Sequence, residues 1–459
     1  MRSAFFSVVL VAAVACNTDT GKTSTPAAAA KAAPAEWTKS AAIYEINVRQ
    51  YTPAGTFAAL QKELPRLDSL GVDILWLMPV QPIGVKNRKG PLGSYYSIRD
   101  YTAINPEFGT QGDAKSFIDA AHAAGFRVVL DWVANHTAFD HPWITAHPDW
   151  YVHHADGSIS NARDGLDKET DWTDVAELNY DNASLRGAMI DAMRFWVDTM
   201  HIDGFRADVA GGVPMEFWSR ARAELTAARP DLFFLAEADG PQYHPVFDAT
   251  YGWEFHHLLN DVAKRKQPVA ALDAYLAKDS AAFPSNAYRM YFTSNHDENS
   301  WSGSEFERMG ANHLPAFVLS ATLRQSMPLV YTGQEASLSR KLRFFEKDTV
   351  QWNGPSLASF YSTMIKLKHN NGALWNGDAG GTATRLTTTG SDAVYAFTRT
   401  RDTNTVLVAV NFGDAAARAA YTGLARPGSF TDWFSKAAVT LGAAGTIDVP
   451  AHGYRVLVR

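Results

Sequence analysis

The feature that most constrains this chain is an alternation. Short apolar runs of strand type and amphipathic runs of helical period follow one another from residue 42 to residue 370. Residues 42–48, 72–78, 126–132, 204–208, 232–237, 247–251, 288–294 and 328–331 each read as a strand. Between the first two, Phe57, Leu60, Leu64, Leu67 and Leu70 recur at helical spacing. Pro65 restarts or kinks that helix and Gly71 ends it. Residues 117–124, 185–200, 214–228, 311–325 and 357–370 are further helical stretches. Parallel neighbours need a crossover, so strands separated by helices predict a parallel sheet. Over 459 residues that pattern favours a closed (β/α)8 TIM barrel over an open sheet.

The barrel is expected to occupy residues 37–372, and two stretches of the chain depart from the alternation. Apolar periodicity lapses over about 137–183, where Trp, His, Asp and Gly dominate, which reads as a short inserted domain after strand three. From residue 373 to 459, short alternating runs (384–388, 393–399, 406–412, 454–458) predict a C-terminal all-β sandwich. At the other end, Arg2 precedes an apolar run over 4–14 and then Ala15-Cys16, the pattern of a secretory leader. That run is too short to cross a bilayer comfortably. Cys16 is the only cysteine, so no intrachain disulfide forms. Ala13-Val14-Ala15-Cys16 is similar to a bacterial lipobox, which implies cleavage before Cys16 and a lipid anchor on its thiol. An ordinary leader with a coincidental cysteine is the alternative. Both place the mature chain outside the cytoplasm, as a secreted protein or a lipoprotein at the periplasm or cell surface. Residues 17–36 read as a flexible linker.

Three predicted strands end in acids. Strand four closes on Asp208, strand five on Glu237, and strand seven runs into Asn295-His296-Asp297. Asp131 lies near the end of strand three, with Asn135 and His136 beyond it. In a closed barrel these tips share one mouth, where such folds place their chemistry. Asp208 alone could cap the next helix, but a cap does not account for the whole gathering. Converging carboxylates suit glycoside hydrolysis, where one acid must be protonated and one ionised. Metal-assisted hydrolysis is the rival, since Asp131, His136, Asp208, Glu237, His296 and Asp297 are all ligand types. Arg206 beside Asp208 fits an ion pair better than a metal shell. The net charge of −6, with no basic stripe, excludes a nucleic-acid binder.

With these motifs in place the chain resembles the α-amylase family, glycoside hydrolase family 13. Asp131-Trp132-Val133-Ala134-Asn135-His136, Gly204-Phe205-Arg206-Ala207-Asp208, Glu237 after Phe234-Leu235-Ala236, and Asn295-His296-Asp297 follow the family's order. Leu178-Asn179, Tyr96 and Asp100-Tyr101 resemble its lesser motifs. The resemblance implies that Asp208 is the nucleophile, Glu237 the general acid and base, and Asp297 the stabiliser of the distorted sugar. It implies that Arg206 orients Asp208, that His136 and His296 hydrogen-bond the sugar, and that Tyr96, with Tyr95 as its rival, stacks on it. The implied activity is retaining cleavage of α-1,4 bonds in starch, glycogen or maltooligosaccharides by a monomer. Transglycosylation, isomerisation, exo-acting α-glucosidase action and non-catalytic glucan binding are the alternatives. No cofactor is required for the chemistry. A structural calcium stays open: Asn135 keeps a typical ligand type, and Asp171 and Asp174 lie in the insert. Where many members carry Lys-His after the nucleophile, this chain has Gly211-Gly212.

Overall fold

The computed structural model describes residues 34–459; the expected leader, Cys16 and the expected linker up to residue 33 lie outside the described residues. Eight parallel strands close into a barrel in chain order: β1 (Ile43–Ile46), β2 (Ile74–Leu77), β3 (Arg127–Trp132), β4 (Gly204–Ala207), β5 (Phe233–Ala236), β6 (Ala249–Tyr251), β7 (Tyr288–Tyr291) and β8 (Ser326–Tyr331). β8 returns to β1 through Ile43↔Leu329, which closes the ring. Side chains on both faces of these strands are buried, hence the near-continuous apolar runs. Inward residues such as Trp76, Val129, Leu235, Met290 and Leu329 fill the barrel, and a second cluster joins the outer face to the helices.

Most strands end earlier than their apolar runs. The cause is visible at the tips: Asp208 and Glu237 follow the ladders of β4 and β5 but stay tied to the neighbouring strand, through Asp208 N–H to Trp132 O (3.0 Å) and Glu237 N–H to Ala207 O (2.9 Å). β8 starts two residues before Pro328, at Ser326 and Met327, which did not read as an apolar run. The helical stretch ending at Ala123 begins at Gln111, six residues before its apolar pattern, because a Thr110–Asp113 capping box starts it. As expected, the first helix restarts at Leu64 with Pro65 in its first turn and ends on Gly71 at φ +89°.

The insert is ordered by pairing rather than by periodicity. His136–Ala138 runs antiparallel to Val175–Glu177, and isolated bridges His153↔Ile159 and Arg163↔Glu169 tighten the loops between them.

The C-terminal part holds nine strands: β9 (Thr382–Arg385), β10 (Thr387–Thr389), β11 (Val394–Arg401), β12 (Asn404–Asn411), β13 (Ala417–Thr422), β14 (Gly428–Asp432), β15 (Ala438–Leu441), β16 (Ala444–Val449) and β17 (Gly453–Val458). They form a six-stranded sheet, β9-β11-β12-β17-β14-β15, and a three-stranded one, β10-β13-β16. Both face one core containing Val394, Leu407, Tyr421 and Ile447, so this is a sandwich. The run expected as one strand over 384–388 is two, because the chain changes sheet at buried Leu386. Four further strands, β13 to β16, escaped sequence reading. Their Ala, Gly and Thr residues alternate in burial but hardly in hydrophobicity.

Candidate active site

At the C-terminal ends of the barrel strands lies an open cleft of about 1050 Å³, lined by Tyr96, His136, Asp208, Glu237, His296 and Asp297 among others. Six of the seven site residues expected from the sequence therefore meet in one hollow. The seventh, Arg206, is wholly buried beneath it.

Arg206 organises the floor. From β4, its Nη1 lies 2.8 Å from both Asp131 Oδ1 and Asp208 Oδ1. Its Nη2 lies 2.8 Å from Glu237 Oε1, an ion pair with no N–H aimed along it. Its Nε donates to Tyr251 Oη at 3.1 Å. The sequence suggested a partner for Asp208; the structure shows one guanidinium shared among three carboxylates. Asp131 does not reach the cleft. It is buried below, accepting from Arg206, from Trp76 Nε1 (3.2 Å) and from Tyr96 Oη (3.0 Å). Glu237 accepts the Val209 N–H at 2.8 Å. Val209 supplies it from a left-handed turn at φ +41°, a strained setting for a β-branched residue that directly follows Asp208.

On the other side His296 is held between two acids. Its Nδ1 lies 2.5 Å from Glu45 Oε1 and its Nε2 lies 2.7 Å from Tyr96 Oη and 3.3 Å from Asp297 Oδ2. Tyr96 lies stacked on the His296 ring (5.3 Å, 22°) and near-parallel to Phe344 (6.3 Å, 11°). Tyr95, its rival, is buried under Arg49 and does not line the cleft.

The charge states follow from burial and neighbours. Burial raises Glu237 to about 7, with Arg206 opposing. It raises Asp208 and Asp131 to about 6, again against Arg206. For His296, burial works downward but is outweighed by Asp297 and Glu45, which lift it to about 9. Burial lowers His136 to about 4, so that ring is neutral at pH 7. The acids therefore titrate as one coupled cluster, held above the usual carboxylate range by burial.

Of the three residues considered for a calcium, two are turned toward a lysine. Asp171 and Asp174 hold Lys89, whose Nζ donates to Asp171 O (3.1 Å) and lies 3.4 Å from Asp174 Oδ1. Asn135 instead meets the Arg163 carbonyl (2.9 Å) and Glu177 Oε2 (3.2 Å), and its own Oδ1 is buried without a partner. These are the hard oxygen donors that calcium prefers. No group of three or more His, Cys, Asp or Glu side chains among the described residues is arranged to hold a metal.

Sequence reading missed Glu45, Trp76 and Tyr251, which support His296, Asp131 and Arg206 from within the barrel, and cleft-lining Tyr243, Trp253, Trp301 and Phe344. A signal existed for Glu45: an acid inside the four-residue buried strand Ile43–Ile46. The aromatic residues carried none, since aromatics serve the core equally well.

A parallel barrel whose mouth gathers several acids, two of them raised by burial, and stacked rings defines an enzyme of the glycoside hydrolase type. Residues 33–354 match the family described as "Alpha amylase, catalytic domain", and 388–457 match "Alpha amylase, C-terminal all-beta domain". The chain belongs to the alpha-amylase family, glycoside hydrolase family 13. It is 31% identical over 401 residues to alpha-amylase MalA of Haloarcula japonica, covering 82% of this chain and 56% of the relative. It is 26% identical over 413 residues to alpha-1,4-glucan:maltose-1-phosphate maltosyltransferase 1 of Streptomyces coelicolor, covering 83% and 59%. The chain thus spans less than two thirds of either relative's length. Among solved structures it resembles the maltogenic alpha-amylase AmyB of Thermotoga neapolitana, with a TM-score of 0.83, 27% identity, and 92% and 99% of the two chains covered.

Proposed function

We propose that this chain is a retaining enzyme that cleaves α-1,4-glucosidic bonds in starch, glycogen or maltooligosaccharides. The observation that carries the reading is the pairing around Arg206: Asp208 and Glu237 share one cation, both open to the cleft, and burial raises both into the range where one carboxyl can hold a proton while the other is ionised. Asp208 attacks the anomeric carbon as the Glu237 proton passes to the departing oxygen. A glycosyl ester on Asp208 results. Glu237, now ionised, takes a proton from water as the water oxygen attacks the same carbon and Asp208 leaves. Asp297 bonds the sugar hydroxyls as positive charge develops on the ring. His296, protonated, and neutral His136 hydrogen-bond the same sugar, and Tyr96 offers its ring face. A structural calcium would be held by Asn135, the Arg163 carbonyl and Glu177, where it would tie the insert to the tip of β3. The leader and Cys16 support an exported, lipid-anchored protein.

The test is release of reducing sugar from starch and maltotetraose. Asp208→Asn should lose on the order of 10⁴-fold in kcat with an unchanged far-UV circular dichroism spectrum. Turnover near that of the native chain would overturn the assignment. A second reading, glycosyl transfer to a sugar, draws support from the maltosyltransferase relative. Products longer than maltotetraose would favour it.

A further inference from the structure

The geometry points to Tyr243 as the residue that selects the acceptor: together with Leu166 it forms a sugar-binding wall in the place where a side chain at position 211 would stand. This rests on the proposed roles of Asp208 and Glu237. The departing oxygen must lie within reach of Glu237, so the leaving group, and later the acceptor, occupy that side of the cleft. Gln242 and Tyr243 line it from the loop that follows Glu237. Gly211, three residues past Asp208, faces them. A Cβ at position 211 would meet Tyr243 Oη at 2.8 Å and the Gly165 carbonyl oxygen at 3.4 Å. Gly211 is not in the left-handed region, so space rather than backbone conformation requires the glycine.

The opposite edge is the hairpin tip of the insert. Gly165 brings its backbone against the Gly211 loop, with a Cβ at 165 falling 3.9 Å from Gly211 Cα. Asp164 Oδ1 fixes the tip by accepting from the N–H groups of Leu166 (2.8 Å) and Lys168 (3.1 Å). Leu166 is 90% exposed there, and it lines the same cleft as Tyr243. An exposed apolar side chain on a tied backbone turn, a tyrosine ring and its hydroxyl match the C–H face and hydroxyl edge of a pyranose. They give water no comparable hold. The wall therefore favours a glucose or maltooligosaccharide acceptor over water at the glycosyl ester on Asp208: the acceptor hydroxyl oxygen bonds to the anomeric carbon, its proton goes to Glu237, and Asp208 is released.

The experiment is the ratio of transfer to hydrolysis for maltotriose with added glucose, read by chromatography. Both products descend from one intermediate, so the ratio is independent of how much enzyme is folded. The native chain should form transfer products, and Tyr243→Ala should lower the ratio at least threefold. Gly211→Ala should lower it too, by displacing the tyrosine hydroxyl. Adding Tyr243→Phe, which removes that oxygen, should return the ratio to that of Tyr243→Phe alone. Equal ratios in the native chain and Tyr243→Ala, or a Gly211→Ala effect untouched by Tyr243→Phe, would overturn the inference and leave the proposed activity standing. A native chain that releases no sugar from any α-glucan overturns both.

Discussion

At the scale of single residues, the site is governed by one guanidinium among three acids. Arg206 cannot neutralise Asp131, Asp208 and Glu237 together, and burial raises all three, Glu237 to about 7 and the two aspartates to about 6. The sign for activity follows. As pH falls through about 6, Asp208 gains a proton and loses its nucleophilic form. As pH rises through about 7, Glu237 loses the proton that it must donate. The kcat/KM profile on maltotetraose should therefore be a narrow bell with limbs near these values. The limbs belong to the cluster rather than to either residue alone. A profile flat up to about pH 9 would contradict the roles given to the two acids. The sign for stability is separate. Folded values of about 6 and 7 lie above the ordinary 3.8 and 4.5. Within that window the folded chain binds more protons than the unfolded one, so stability falls as pH rises through it. The acids and histidines at the rim were legible in the sequence. Their sharing of Arg206 was not, because no spacing along the chain reports which side chains meet across a barrel.

At the scale of elements, β4 shows how tightly the tips are set. Gly204 opens the strand against β5, and a Cβ there would come within 1.9 Å of the Phe233 carbonyl oxygen. Gly204→Ala must part the two strands that end in Asp208 and Glu237. It should cost at least ~2 kcal/mol in urea unfolding, with activity falling further than the folded fraction. Wild-type stability in that variant would show that the strands yield easily. Elements were readable where burial on both faces wrote continuous apolar runs, as in β2 and β3. They were lost where small residues stand on a sheet with one open face, as in β15, where only Leu441 of Ala438–Leu441 is buried. The insert was legible only as a gap, because its order comes from bridges such as Arg163↔Glu169 between loops.

At the scale of the whole molecule, the sandwich is fastened to the barrel by buried polar contacts as well as by rings. Arg399, on β11, donates to the carbonyls of Thr322 (2.9 Å) and Leu323 (2.6 Å) at the end of a barrel helix and to Gly381 O (3.0 Å). Trp433 Nε1 reaches Thr363 O (2.9 Å), and Phe360 packs against Tyr454 and Phe434. Arg399→Met would take the side-chain donor away from the Thr322 and Gly381 carbonyls in a buried seam, a loss of roughly 2–5 kcal/mol. Urea unfolding should then show an earlier transition for the sandwich. Arg399 does not line the cleft, so kcat of the folded enzyme should stay close to that of the native chain. A single unshifted transition would mean that the apolar contacts suffice. By itself the sequence determined the alternation of strand and helix, the acids at the strand tips and the glycines that depart from the family pattern, because each is written in consecutive residues. Tertiary structure alone decided that Asp131 lies beneath the cleft, that Tyr243 stands beside Gly211, and that Glu45 steadies His296 from 251 residues away. Those relations exist only once the eighth strand has closed on the first.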